Sequence, residues 1–260
     1  MGVLIKNGEI VTASDRYVAD VQCDGGKVVA IGTNLEKRAG DQTIDASGQY
    51  VFPGFIDPHV HMELPFMGTV SADDFESGTA SAIAGGTTSI IDFCIPNRGQ
   101  SLLEALAIWN ERSKKAVSDY TYHMAITGWS DTMAEEMRVV VQDHGITSFK
   151  VFMAYKGALM VDDGELYEVM KHAAKLGAVV TVHAENGELV VQLSESVFAQ
   201  GITGPEGHPL SRPPAVEGEA ANRALRIAEV IGVPLYIVHN SCIDSLEAIT
   251  RTLVPHQAVG

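Results

Sequence analysis

The sequence predicts an α/β fold in which a parallel sheet winds as a TIM-like (β/α)8 barrel, with a small β unit ahead of it. Three observations carry this. From Val51 onward, apolar β runs alternate with helical patterns six times, the sequence form of parallel strands joined by crossover helices. The first of these units has no GxGxxG loop, so a doubly wound nucleotide-binding sheet loses its main support. Histidines also recur at the ends of the β runs, where a barrel places its reactive side chains.

Residues 1–52 are short alternating segments broken by turn residues: VLIKNGEIV, YVADVQCDGGKVVAIG, then DQTIDASGQYVFP. Lys6-Asn7-Gly8-Glu9 and Asp24-Gly25-Gly26-Lys27 are hairpin signals, with the glycines that positive φ requires. So short a sheet has too little core to stand alone, and it is expected to pack on another element or to be completed by later strands.

Residues 53–260 are assigned to the barrel. Strands are expected in VFPGFIDPHVHM and over 87–96, 120–127, 148–155, 178–185 and 234–241. Helices are expected within 73–86, 101–117, 131–145, 163–177, 187–200 and 216–232, several of them closing on a glycine C-cap. Closing a barrel takes eight strands, yet only nineteen residues follow Ser241, room for roughly one helix. The barrel is therefore expected to stop after about six βα units.

Composition excludes several classes. Hydrophobic residues at 46% and charged residues at 20% are ordinary for a soluble globular chain, and no apolar run approaches the ~18 residues of a membrane span. The opening MGVLIKNGEIV lacks a basic segment followed by a long apolar one, so a cytoplasmic location is expected. A formal charge of −15 repels phosphate backbones and anionic lipid, which argues against nucleic-acid or membrane partners. Cys23, Cys94 and Cys242 are far apart and form no CxxC pair, so they read as buried thiols rather than disulfides or thiolate ligands.

Asp57-Pro58-His59-Val60-His61 ends the first barrel strand. Residues two apart in a strand share a face at about 6.6 Å, so His59 and His61 can converge on one metal ion. HxH alone is a weak motif. Its context strengthens it: His183 ends the fifth strand in TVHAEN and His239 the sixth in IVHNSC. Four histidines at equivalent positions of three strands are poorly explained by packing, and a metal site is the better reading.

The run FKVFMAY, residues 149–155, holds a lysine inside an apolar strand. Lys150 is either a rim residue whose amine snorkels to solvent or a group placed for chemistry. Four neutral imidazoles suit one closed zinc site, whereas two neighbouring divalent cations need an anionic bridge against their repulsion. An ammonium would repel such metals, but addition of CO2 to the neutral amine of Lys150 gives a carbamate with two oxygens.

Taken together, His59-Val60-His61, Lys150 within FKVFMAYKG, His183 within VHAENGE and His239 within VHNS resemble the cyclic amidohydrolases, in particular the D-hydantoinase and dihydropyrimidinase group. Tyr155 in AYKG, the turn SRPPAVEGEA and the opening VFPGFIDPHVH look like that group rather than like dihydroorotases or allantoinases. The resemblance runs from about residue 1 to 245, and the last ten residues, RTLVPHQAVG, depart from it.

This resemblance implies an amidohydrolase barrel, incomplete here, with residues 1–52 as part of an N-terminal β-sandwich domain. It implies two divalent ions, Zn2+ in the expected case: His59 and His61 on the more buried, His183 and His239 on the more exposed, with carboxylated Lys150 and a hydroxide bridging both. The reaction implied is hydrolysis of the cyclic amide bond of hydantoins or dihydropyrimidines to N-carbamoyl amino acids. Tyr155 would donate to the developing oxyanion. Met62, Leu64, Phe66, Phe152 and Leu159 would wall the pocket for the ring substituent of a small cyclic ureide or imide, although core packing explains Phe152 equally well.

The group's remaining ligand, an Asp on the eighth strand, has no counterpart in this chain, so little hydantoinase activity is expected of the 260 residues alone. The group is usually homo-oligomeric, often tetrameric. Asp92 reads as a carboxylate behind the ligands or a hydrogen-bonded rim residue, and His123, His144, His172, His208 and His256 as structural or exposed. The alternative function is that of a non-catalytic relative acting as a scaffold or assembly protein. Such relatives usually lose ligands, and this chain keeps each one within its length.

Overall fold

The first alternating segment forms β1 (Val3–Val11), in which Leu4, Gly8 and Ile10 are buried. This is seen in a computed structural model, which describes residues 2–253. The chain divides into two units, residues up to Asp57 with Ala82–Ser89, and Pro58–Ser81 with the chain from Ile90 onward. His256 and most of the divergent tail lie outside the described residues.

In the first unit β1 is flanked by β2 (Arg16–Asp24), then β3 (Lys27–Gly32), and on its other side by β4 (Gln42–Asp45) and β5 (Tyr50–Val51). The β1–β2 and β2–β3 pairs are antiparallel; β4 and β5 lie parallel to β1. Ile10, Ala19 and Val21 make its core, with Ile5, Cys23 and Val51 against them.

The two hairpin signals part ways here. Asp24-Gly25-Gly26-Lys27 turns as expected, with Gly25 and Gly26 at φ 56° and 75°. Lys6-Asn7-Gly8-Glu9 is no hairpin: β1 runs through it, and Asn7, at φ 62°, marks a bulge between Ile5 and Gly8 in the ladder with β2. The left-handed Asn7 directs its N–H to the carboxylate of buried Asp20 at 2.8 Å, while a Cβ on Gly8 would strike the Val51 side chain at 2.4 Å. An Asn-Gly pair satisfies a bulge and a turn equally well, and long-range packing chose the bulge.

The second sheet begins with β6 (Phe55–Val60). A small hairpin, β7 (Pro65–Phe66) and β8 (Thr69–Val70), follows, then α1 (Phe75–Ala84), β9 (Thr87–Cys94), α2 (Leu102–Arg112), β10 (Asp119–Ala125), α3 (Met133–Gln142) and β11 (Ser148–Phe152). The chain continues through α4 (Asp163–Leu176), β12 (Val179–His183), α5 (Gly187–Ala199), α6 (Gly207–Leu210), α7 (Pro214–Ile231), β13 (Leu235–Ile237) and α8 (Ile243–Leu253). The strand order is β6-β9-β10-β11-β12-β13, each strand beside its predecessor, and the last three ladders are parallel. A doubly wound sheet reverses its order at a switch point, and this one does not. The six-unit α/β winding read from the sequence is therefore the one observed.

Local chemistry sets the helix ends. Asp162 and Glu165 form a capping box at the start of α4, and Gly177 and Gly232 close α4 and α7 in the left-handed conformation. The short β7–β8 hairpin and α6 carry no periodic pattern long enough to be read from sequence. No described helix is long and apolar enough to cross a membrane.

Candidate metal centre

Period-two alternation decides which side chains meet. On β11 Ser148, Lys150 and Phe152 share a face, and on β12 Thr181 and His183 do; register pairs Lys150 with Thr181 and Phe152 with His183. These face the same interior as His59 and His61, and one cavity of about 290 Å³ is lined by His59, His61, Lys150, His183 and His239 together with Leu64, Phe66, Phe152, Tyr155 and Leu159. Ile95 also lines it and was not anticipated. Met62 does not: it is buried with its sulfur against α1, so that a Cβ on Gly78 would lie 2.4 Å from Sδ.

Lys150 does not snorkel. It is 1% exposed, and its Nζ has no hydrogen-bond partner among the described residues, lying 5.2 Å from the Phe93 ring and 5.1 Å from that of Phe152. Burial pulls its amine down from 10.5 to about 7, so a neutral, nucleophilic nitrogen is accessible near neutral pH. Burial likewise, with the positive charge of Lys150 adding to it, lowers His59 to about 3 and His61 to about 4. His239 falls to about 4 through burial first, with the electrostatic influence of His183 and Lys150 adding to it. Imidazoles held neutral are the form that binds metal.

The four rings form two pairs. His59 and His61 stand 5.3 Å apart by centroid, both packed on Phe93, and His183 and His239 stand 4.7 Å apart. His59 and His239 approach to 5.4 Å, which joins the pairs. Among the described residues no three His, Cys, Asp or Glu side chains converge on one point. Nδ1 of His183 lies 3.0 Å from Nε2 of His239, close to the roughly 3.3 Å that separates two nitrogens bound at ~2.0–2.1 Å to a tetrahedral zinc. The buried Nδ1 of His61 also has no hydrogen-bond partner among the described residues. Two orphaned nitrogens facing one cavity fit a metal centre.

Tyr155 sits where β11 gives way to its loop, at φ 64°, and its carbonyl accepts the N–H groups of Ala158 and Leu159 at 3.0 and 3.1 Å. Its ring stands 5.2 Å from Phe66 and 5.0 Å from His183, and burial raises the phenol, which stays a donor at neutral pH. His239 is also left-handed, at φ 37°. Two such residues at one cavity mark strain held by the surrounding structure. Ser241, just beyond, donates its N–H to Glu217 of α7 at 2.8 Å, which fixes the end of the sixth strand.

Several supporting residues carry only a faint sequence signal. Glu185, two residues after His183, receives the His183 ring at 2.7 Å. Burial raises its carboxyl, but the hydrogen bond and charge of His183, with Arg212 and His208, outweigh that and hold it below the usual range. Asp92 is fully buried behind His61, accepting from the Met62 N–H at 3.2 Å and Trp109 Nε1 at 3.1 Å, so the expectation of a carboxylate behind the ligands describes its position. His123 is structural, bonded to Ser148 Oγ at 2.5 Å and donating to the Pro58 carbonyl at 2.9 Å. His172 stacks on Trp129, and His144 and His208 are exposed.

The model of the amidohydrolase family matches residues 50–252. This chain belongs to the amidohydrolase family. Among relatives of this amidohydrolase, a D-hydantoinase of Geobacillus stearothermophilus is 51% identical over 252 residues, covering 96% of the chain and 53% of the relative. A dihydropyrimidinase of Dictyostelium discoideum is 48% identical, covering 96% of the chain and 50% of the relative. The crystal structure of a dihydropyrimidinase from Brevibacillus agri NCHU1002 superimposes with a TM-score of 0.94 at 48% identity, covering 97% of the chain and 55% of that structure. The chain thus spans about half the length of the relatives it matches.

Proposed function

We propose that this amidohydrolase contributes the metal-binding half of an enzyme that hydrolyses the cyclic amide bond of hydantoins or dihydropyrimidines to N-carbamoyl amino acids. The observation that carries the reading is the convergence of four imidazoles, three of them pressed towards neutrality, with one buried, unpartnered lysine in a single cavity. His59 and His61 would hold one divalent ion and His183 and His239 another, Zn2+ in both cases, with Lys150 as a CO2-derived carbamate between them. When bound, the ions supply Lewis-acid polarisation of the substrate carbonyl and a hydroxide nucleophile at neutral pH.

The chain's own residues do the rest. Tyr155 donates its phenol proton in a hydrogen bond to the carbonyl oxygen as that oxygen gains charge, a contact strongest in the transition state. Leu64, Phe66, Phe152 and Leu159, with Ile95, offer an apolar wall to the substituent of a small cyclic ureide. The two-domain division at residue 52, the completion of the first sheet into a β-sandwich, a cytoplasmic location and a homo-oligomeric assembly belong to the same reading.

The decisive experiment replaces the corresponding segment of the Geobacillus D-hydantoinase by residues 1–245 and follows hydrolysis of dihydrouracil and 5-phenylhydantoin with added zinc. Zinc-dependent turnover, abolished by His59→Ala, is expected. A chimera that folds and binds zinc but turns over neither compound would sink the proposal.

A further inference from the structure

The turn SRPP and the glutamate of VHAEN stand out in the sequence without a role in the ligand set. In the structure they meet. Ser211, 3% exposed, donates Oγ to the carbonyl of His208 at 2.9 Å and accepts Arg212 Nη1 at 2.9 Å, while Pro213 and Pro214 lead the chain straight into α7. Anchored on both sides, the Arg212 guanidinium sets its Nε 3.2 Å from Oε1 of Glu185. The other oxygen, Oε2, lies 2.7 Å from Nε2 of His183. The side chains of Arg212, Glu185 and His183 are only 22%, 15% and 11% exposed, so little water competes.

A carboxylate accepts hydrogen bonds and cannot donate them, so the proton on His183 must sit on Nε2. Nδ1 is then bare, and it is Nδ1 that faces His239 Nε2 at 3.0 Å. We propose that Glu185, itself held by Arg212, is the positioning residue that fixes the tautomer and ring angle of His183, presenting Nδ1 with His239 to one metal ion. The proposal rests on the reading of His183 and His239 as ligands of one ion. It assigns the SRPP turn a function: it supports the ligand from behind, through the glutamate, and touches neither metal nor substrate. Carboxylates placed behind a ligating histidine orient it and raise its basicity, and their loss typically weakens metal binding by about 10–100-fold.

The test uses the 260-residue chain, stripped of metal and labelled with 15N-histidine. A carboxylate-bonded Nε2–H of His183 should appear as a slowly exchanging, far-downfield proton in the metal-free wild type, move upfield in Glu185→Gln and broaden in Arg212→Leu. Zinc titration by calorimetry should then show one of two sites weakened about 10–100-fold in Glu185→Gln, less in Arg212→Leu, with Arg212→Lys restoring most of the loss. Glu185→Gln keeps the side-chain volume, so a folded variant is expected, and far-UV circular dichroism verifies it. Wild-type zinc affinity in folded Glu185→Gln, or a wild-type His183 without the downfield proton, overturns the positioning role. Failure of the wild-type chain to take up zinc overturns instead the ligand reading beneath it.

Discussion

Gly187 donates its backbone N–H to the carbonyl of Met153 at 3.0 Å, so the helix that follows the fifth strand starts against the end of the fourth. A Cβ at Gly187 would stand 2.8 Å from that carbonyl oxygen, 3.1 Å from the Ala154 Cα and 2.6 Å from the Met160 sulfur. Helix propensity favours alanine over glycine by at most about 1 kcal/mol, while overpacking against backbone costs about 1–3 kcal/mol. The steric term wins. Gly187→Ala should lower stability by about 1–2 kcal/mol in urea unfolding, and a variant as stable as wild type would contradict the contact.

Asp92 joins the first strand's end to a helix. Its two oxygens accept from the Met62 N–H and the Trp109 indole, and Trp109 and Met62 are themselves buried. Truncation to alanine leaves both donors without a partner, each worth about 1–3 kcal/mol when orphaned. Asp92→Ala should therefore destabilise by about 2–4 kcal/mol, and Asp92→Asn, which still offers one acceptor, by less. Equal losses in the two variants, read from urea midpoints, would show that the hydrogen bonds are not what Asp92 supplies.

The winding of the second sheet was legible because apolar β runs alternate with helical patterns and histidines punctuate the strand ends, whereas the continuous apolar run FKVFMAY carries no period-two signal, and only the resemblance put Lys150 among the ligands rather than at the rim. Asn7-Gly8 was misread because its left-handed conformation is local while its use, a bulge shaped by Asp20 and Val51, is settled by residues far along the chain. Met62 was placed by resemblance on the pocket wall, yet a strand that ends at Val60 no longer dictates the direction of the side chains after it. Glu185 was within reach, lying two residues beyond His183. What sequence could not supply is the bend of the chain after His183 that turns its carboxylate back onto the ring.

Tyr155 separates chemistry from stability. Its hydroxyl has no part in the aromatic contacts with Phe66 and His183, which phenylalanine would keep. In the chimera with the Geobacillus D-hydantoinase, Tyr155→Phe should lower kcat by about 10²–10³-fold with KM little changed, the pattern of a donor that acts on the transition state. Its unfolding free energy in urea should stay within about 0.5 kcal/mol of wild type. A loss expressed in KM alone would return Tyr155 to an aromatic cover over the strand end.

Lys150 makes stability depend on pH with a definite sign. In the unfolded chain its amine titrates at 10.5, in the folded chain at about 7, because burial disfavours the charged form. Below about 7 both states carry the proton, and the folded protein bears the full cost of a buried ammonium. Between about 7 and 10.5 the unfolded state binds the proton that the folded state has released, so stability rises with pH by up to about 1.4 kcal/mol per unit from this group. Lys150→Met, similar in volume and without charge, should remove that slope and be the more stable protein at pH 6. Urea unfolding of both metal-free proteins in bicarbonate-free buffer from pH 6 to 10 gives the comparison, since other titrating groups cancel in the difference. Parallel stability curves for the two would mean that Lys150 keeps its proton in the fold, and the neutral amine that a carbamate requires would be lost with it.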